Sequence, residues 1–297
     1  MPTPLFGSLI TAMVTPFDGD GAVDYARAEQ LVDRLVNDGT ETVLVAGTTG
    51  ESPTVTHHEK VELIKVVKWS VGGRAKLMVG TGSYSTADTI EFTQEAEALG
   101  ADAALLVTPY YNKPSQDGLY QHFAAVAAAT GLPVMLYNIP GRTSRNIEAA
   151  TLCRLAEVKN IIGVKESTGD FQQAAAIAAG TPDDFLLYSG DDWATLHILL
   201  LGGVGVVSVA SHLVGQEIRE MMALFQAGDR AGARDCYFKL RPLFDCLFQP
   251  TAPSPCGVKA ALKLVGFDCG GHRLPLVEVT DAEREVIRAG LQGQGLI

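Results

Sequence analysis

The chain has 297 residues, 47% apolar and 19% charged, with a formal net charge of −11. That length suits one large domain or a large one with a small appendage, and the apolar content supports a sizeable core rather than disorder. The acidic balance argues against a nucleic-acid partner, which needs a basic face, and no stretch reaches the ~18 apolar residues of a membrane helix.

The N-terminal MPTPLFGSLITAMVTPF lacks the basic and long apolar regions of a secretory signal. Five cysteines (Cys153, Cys236, Cys246, Cys256 and Cys269) form an odd set without C-x-x-C spacing. Reduced thiols are therefore expected rather than a disulfide framework or a zinc site. These features predict a cytoplasmic protein.

In chain order, eight short apolar segments read as strands: Leu9–Val14, Thr42–Ala46, Leu77–Gly80, Ala103–Val107, Val134–Tyr137, Ile161–Lys165, Phe185–Tyr188 and Val204–Val209. They start about 20–35 residues apart, the spacing of successive βα units. Between them lie helix signals. Asp24 opens an amphipathic run with Gly39 as its stop, and Thr56-His57-His58-Glu59 is a capping box. Ser85 and Asp170 are further N-cap candidates. Near-continuous apolar strands alternating with helices predict a parallel sheet covered on both faces. Eight units predict an α/β fold, a closed (β/α)8 TIM barrel over residues 1–224. From 225 to 297, GDRAGARDCYFKLRPLFDCLFQ and DAEREVIRAGLQGQ read as helices without an intervening strand, a small C-terminal helical extension.

Nucleotide and metal signatures are weak. Gly80-Thr81-Gly82-Ser83-Tyr84-Ser85 lacks the third glycine of a dinucleotide fingerprint. Gly202-Gly203-Val204-Gly205 resembles a phosphate loop, but it precedes the eighth strand at the wrong end of a barrel. Asp191-Asp192 would repel a phosphate, and read as helix caps in preference to divalent-ion ligands. The histidines show no H-x-H or H-x-x-x-H spacing. No metal and no organic cofactor is expected.

Chemistry in such a barrel belongs at the C-terminal ends of the strands. There lie Gly47-Thr48-Thr49-Gly50-Glu51, Thr108 to Asn112, Tyr137 to Thr143, Lys165, Ser189 to Asp192, and Ser208 to His212. The group holds one amine, several hydroxyls and one guanidinium, which suits imine formation. A lysine among apolar strands has its charged form disfavoured, and a neutral amine attacks a ketone. Tyr and Thr hydroxyls can move the protons, and an arginine can hold a carboxylate. Each residue also has an ordinary explanation: Lys165 as a surface strand end, Tyr137 as a core aromatic, Thr48 and Thr49 as loop caps, Arg142 as a solvated side chain. Their convergence on one barrel end favours the chemistry.

Gly47-Thr48-Thr49-Gly50-Glu51, Tyr110-Tyr111-Asn112-Lys113-Pro114, Tyr137 to Thr143 and Gly163-Val164-Lys165-Glu166 resemble the pyruvate-dependent class I aldolases. Among these they look most like the dihydrodipicolinate synthase family, along essentially the whole chain. The resemblance implies that Lys165 forms an imine with pyruvate and that Tyr137 exchanges protons beside it. Thr48 would link Tyr137 to Tyr111 in a proton relay. Thr49 would bind the pyruvate carboxylate, with Val207 contributing through its backbone and Gly190 also in the substrate pocket. Arg142 would hold the carboxylate of a second substrate, L-aspartate 4-semialdehyde, and the product would feed diaminopimelate and lysine biosynthesis.

Tyr111 in this family reaches a neighbouring subunit, which implies at least a dimer and commonly a homotetramer built as a dimer of dimers. Two neighbouring subfamilies differ in ways this chain does not. N-acetylneuraminate lyases typically show Ser-Thr in place of Thr48-Thr49, and aldolases of 2-keto-3-deoxy sugar acids usually lack the arginine matching Arg142. They remain alternatives, as does a non-catalytic barrel that binds oxo acids. The positions matching the family's lysine-effector site are Ser52, His57, Lys60, Tyr84, Asp88 and Tyr110. Lys60, Tyr84 and Asp88 depart from the His, Asn and Glu usual in lysine-sensitive members. A cation at Lys60 would oppose a cationic effector, so weak or absent lysine inhibition is expected.

Overall fold

Short runs of Val, Leu, Ile and Ala become eight strands that close into a parallel barrel in sequence order. They are β1 (Leu9–Ala12), β2 (Thr42–Val45), β3 (Lys76–Gly80), β4 (Ala103–Val107), β5 (Val134–Asn138), β6 (Ile161–Glu166), β7 (Leu186–Ser189) and β8 (Gly205–Ser208). The structure is a computed structural model describing residues 4–249 and 251–297. Residues 1–3, at the head of the predicted barrel segment, and position 250 in the predicted extension lie outside the described residues. Nearly every strand residue is buried, which explains the unbroken apolar runs: one face lines the packed barrel interior and the other meets helices.

The strand ends differ from the expectation where polar partners intervene. β1 stops at Ala12, because the Val14 N–H donates to the His212 ring at 3.2 Å and leaves the sheet pattern. His212 is buried and held neutral, its pKa pushed down to about 4 by desolvation, and its other ring nitrogen lies 2.8 Å from the Val209 carbonyl. It is a structural bridge. β5 and β6 each run one residue further than read, since Asn138 pairs in register with Glu166.

The predicted caps form. Asp24 accepts from Arg27 N at 2.8 Å and opens helix Tyr25–Asn37. The Thr56–Glu59 box opens His57–Val71, Ser85 opens Thr86–Ala98, and Asp170 opens Phe171–Gly180. Each cap satisfies backbone N–H groups that the first turn leaves unpaired. The Asp191-Asp192 cap does not form: neither the turn Asp192–Ala194 nor helix Thr195–Leu200 carries a side-chain cap bond.

The chain divides into two compact units. One contains the chain up to Ser8 with Lys76–Val207. Its helices Thr86–Ala98, Gln116–Ala128, Ala149–Ala156, Phe171–Gly180 and Thr195–Leu200 pack neighbour on neighbour. The other contains Leu9–Ala75 and Ser208–Ile297. In it, helices Ser211–Gln226, Arg230–Leu247, Cys256–Leu264 and Asp281–Gly293 pack together. Helix Cys256–Leu264 buries residues 256–262, Lys259 among them, so its polar residues do not mark an exposed face as in an ordinary amphipathic helix.

The glycines of the apparent phosphate loop serve packing. A Cβ on Gly203 would stand 2.8 Å from the Ile198 carbonyl oxygen, and one on Gly205 would stand 2.1 Å from that of Ser8. Gly163 in β6 is equally confined, 2.3 Å from the Leu186 oxygen of β7. Gly163→Ala should therefore cost about 1–3 kcal/mol of stability through forced strand separation. Urea unfolding reads this directly, and an unchanged midpoint would contradict it.

Candidate active site

Lys165 stands next to last in β6, in register with Tyr137 of β5. Strand alternation sends Lys165 and its neighbour Glu166 to opposite faces. The Lys165 side chain is 5% exposed, and its Nζ lies 4.1 Å from the centroid of the Tyr137 ring. Burial pushes the amine down from 10.5 to about 8, against the opposing pull of Asp191 and Asp192. At pH 7 that raises the neutral fraction from about 0.03% to about 10%. This is the change a nucleophilic amine needs.

Glu166 anchors the strand. Its carboxylate accepts from Thr168 N at 2.8 Å, from the Asn138 amide at 3.1 Å and from the Gln173 amide at 3.4 Å. Asn138 is fully buried, and its oxygen accepts from Ile147 N at 2.9 Å. The network ties β5, β6 and helix Phe171–Gly180 together directly behind the amine. Thr108 secures Tyr137 from β4: its N–H and its hydroxyl each donate to the Tyr137 carbonyl at 2.9 Å.

After β7, Gly190 packs against the lysine stem. A Cβ there would lie 3.1 Å from Lys165 Cγ and 1.8 Å from Ser167 Oγ, so no larger residue fits without displacing one of them. Asp191 follows. Burial pushes its carboxyl pKa up, and the Lys165 charge opposes that shift. The residue read from sequence as a cap is thus an electrostatic partner of the amine. Its place directly after Ser189-Gly190 at a strand end was the available signal. Arg142 sits exposed on the turn Pro140–Thr143 after β5, and its charge lowers the Lys165 pKa. Val207 is buried in β8.

Tyr111 is 91% exposed at the tip of the loop after β4, with φ +69°. Left-handed backbone is uncommon for an aromatic residue. Asn112 braces the loop by donating to the Tyr84 carbonyl at 2.9 Å. Of the effector positions in this unit, Tyr84 and Tyr110 meet edge-to-face at 5.2 Å, and Asp88 lies in the first turn of helix Thr86–Ala98.

In the other unit, Thr48 is half-buried and Thr49 buried, on the turn that follows β2. The Thr49 hydroxyl lies 3.5 Å from that of Ser254. Ser52 opens the turn Ser52–Thr54, while His57 and Lys60 lie on helix His57–Val71. Burial lowers the Lys60 pKa. Among the described residues no group of three or more His, Cys, Asp or Glu is placed to hold a metal ion, and no helix is long and apolar enough to cross a membrane.

Eight parallel strands in a closed barrel with surrounding helices define the (β/α)8 class. Residues 5–294 match the dihydrodipicolinate synthetase family, and the chain belongs to that family. It is 53% identical to the 4-hydroxy-tetrahydrodipicolinate synthase of Moorella thermoacetica over 292 residues, covering 98% of this chain and 99% of that one. Among solved structures, a dihydrodipicolinate synthase of Bacillus anthracis superposes with a TM-score of 0.94 at 48% identity, covering 97% of this chain and 98% of that one. The enzyme of Cyanidioschyzon merolae with lysine bound superposes with a TM-score of 0.96 at 46% identity, covering 98% and 99%.

The depressed lysine pKa has a stability signature. Between about pH 8 and 10.5 the unfolded chain carries the Lys165 proton and the folded chain does not. Stability therefore rises with pH across that window, and below it the buried charge costs about 3 kcal/mol. Lys165→Met should be more stable than the parent at pH 7, with the difference shrinking toward pH 10.5. Denaturant unfolding at the two pH values checks this, and a pH-independent difference would contradict it.

Proposed function

We propose that this chain catalyses the condensation of pyruvate with L-aspartate 4-semialdehyde, as its curated relatives named 4-hydroxy-tetrahydrodipicolinate synthase do, with Lys165 as the nucleophile. The observation that carries this is the buried amine: 5% exposed, shifted to about 8, with the Tyr137 ring at 4.1 Å.

The neutral Lys165 amine adds to the pyruvate ketone, and water leaves to give a protonated imine. Loss of a proton from the pyruvate methyl carbon gives an enamine. That carbon attacks the aldehyde, whose oxygen takes up a proton. The semialdehyde's own amine then adds to the imine carbon and displaces Lys165, which closes the ring. Each lysine is recovered, and one water is released per turnover.

Tyr137, Thr48 and Tyr111 are assigned the proton transfers, and Thr49, Val207 and Gly190 the pyruvate pocket. Tyr137 and Val207 stand next to last in β5 and β8, while Thr48 and Thr49 follow β2, Tyr111 follows β4 and Gly190 follows β7, the strand ends where such a fold places its chemistry. Arg142 is assigned the carboxylate of the semialdehyde: it is exposed, yet close enough for its charge to affect the Lys165 amine. Residues 1–224 are the catalytic barrel in this reading and 225–297 its extension. The exposed Tyr111 supports a homotetramer in which this residue serves a neighbouring subunit, in a cytoplasmic enzyme with no metal or organic cofactor.

Purified protein given both substrates should consume NADPH when coupled to the reductase that follows. Lys165→Ala should abolish turnover, and Arg142→Ala should lower kcat/KM for the semialdehyde at least 10-fold, the worth of a charge-assisted contact. Full activity in Arg142→Ala would remove this residue from carboxylate binding, whereas no turnover of the semialdehyde by the parent would favour a neutral aldehyde as second substrate. Millimolar lysine should leave the rate nearly unchanged, because a cation at Lys60 opposes the effector. Strong inhibition at sub-millimolar lysine would contradict that, and sedimentation equilibrium reads the assembly.

A further inference from the structure

The turn that carries Thr48 and Thr49 ends in a strained position. Glu51 follows directly, with φ 55° and ψ 33°, a left-handed conformation that costs a non-glycine residue free energy. Glu51 N closes the turn on the Thr48 carbonyl at 3.1 Å, and Ser52 N reaches the Gly47 carbonyl at 3.3 Å. The turn cannot hold this shape by local bonding alone, because the strained residue needs an external restraint.

The restraint comes from the far end of the chain. Glu51 is 2% exposed, and its carboxylate meets Lys259 Nζ at 2.7 Å. His272 Nδ1 lies 3.3 Å from the same oxygen, and Arg273 N donates to the other at 3.3 Å. Lys259 is itself 3% exposed. It also donates to the Gly271 carbonyl at 2.8 Å and lies 4.3 Å from the centroid of the Phe17 ring. Burial alone would push the Glu51 carboxyl up, but His272 and Lys259 together bring it below its usual value. Two more contacts flank the pair: Thr15 donates to the Gly50 carbonyl at 2.6 Å, and Ser254 Oγ lies 3.5 Å from Thr49 Oγ1. Apart from Thr15 and Phe17, these partners lie beyond residue 250.

A buried ion pair is poor evidence for stabilisation, since the lost hydration of both charges offsets their attraction. Something other than stability must account for this one. We propose that Glu51 and Lys259 are positioning residues: the pair pins the strained turn so that Thr48 and Thr49 present their hydroxyls in one geometry. The C-terminal extension is then part of how the site is built. This rests on the roles assigned above to the two threonines.

Glu51→Gln keeps the shape and removes the charge. Glu51→Gln/Lys259→Met removes both charges, leaves no unpaired one buried, and should restore the melting temperature to within a few degrees of the parent. Both variants should show a 10-fold or greater rise in KM for pyruvate, through Thr49, and a 10-fold or greater fall in kcat, through Thr48. The loss should persist in the double variant despite its recovered stability. A purely structural pair predicts that activity returns with stability, and parent-like kcat and KM in the double variant would overturn the proposal. Glu51→Asp, which keeps the charge on a shorter stem, should recover more activity than Glu51→Gln, and the reverse order would overturn it as well. Turnover by the parent protein is measured alongside. Its absence would sink the assigned reaction instead, which keeps the two failures apart.

Discussion

The structure depends on one constraint: an amine has been taken out of water. Lys165 is charged in solution, and a barrel of apolar strands disfavours that charge. The fold accepts a penalty of about 3 kcal/mol at neutral pH, and the same shift leaves more of the amine neutral there. Asp191 and Asp192 moderate the shift, and Arg142 adds to it. The balance leaves a lysine near pH 8 rather than one that is permanently neutral.

Much of the surrounding polarity serves to hold this amine and its neighbours in place. Glu166 and Asn138 are buried polar groups, which are tolerable only when their bonds are made, and they tie the end of β6 to β5 and to helix Phe171–Gly180. Gly190 leaves room beside the lysine stem where a Cβ would collide with Ser167 Oγ and crowd Lys165 Cγ. In the other unit a buried ion pair reaches from Lys259 to the strained Glu51 beside the two threonines. Each of these contacts fixes a residue close in sequence to one that the proposed chemistry uses, as positioning within hydrogen-bond reach requires.

The barrel was legible because parallel strands leave unbroken apolar runs, and because Asp24, Thr56, Ser85 and Asp170 are local caps that need no tertiary context. Lys165 was legible as the polar end of such a run. Asp191 was grouped with the strand-end residues by position but read as a cap, since an aspartate before a helix has the same local signature whether it caps or faces an amine. His212 was grouped with the strand-end residues, but a bond from Val14 makes it structural. The Glu51–Lys259 pair was invisible because its partners are separated by 208 residues, a distance that no periodicity or spacing argument spans. Helix Cys256–Leu264 was hidden for another reason: it buries residues 256–262, Lys259 among them, so its polar residues do not mark an exposed face.

The most direct test of the buried-amine mechanism is chemical. The protein is incubated with pyruvate, reduced with borohydride and digested, and the peptides are mapped by mass spectrometry. The mechanism predicts a single reduced pyruvate adduct on Lys165, approaching one per chain. An adduct on another lysine, or none with the chain folded, would contradict it.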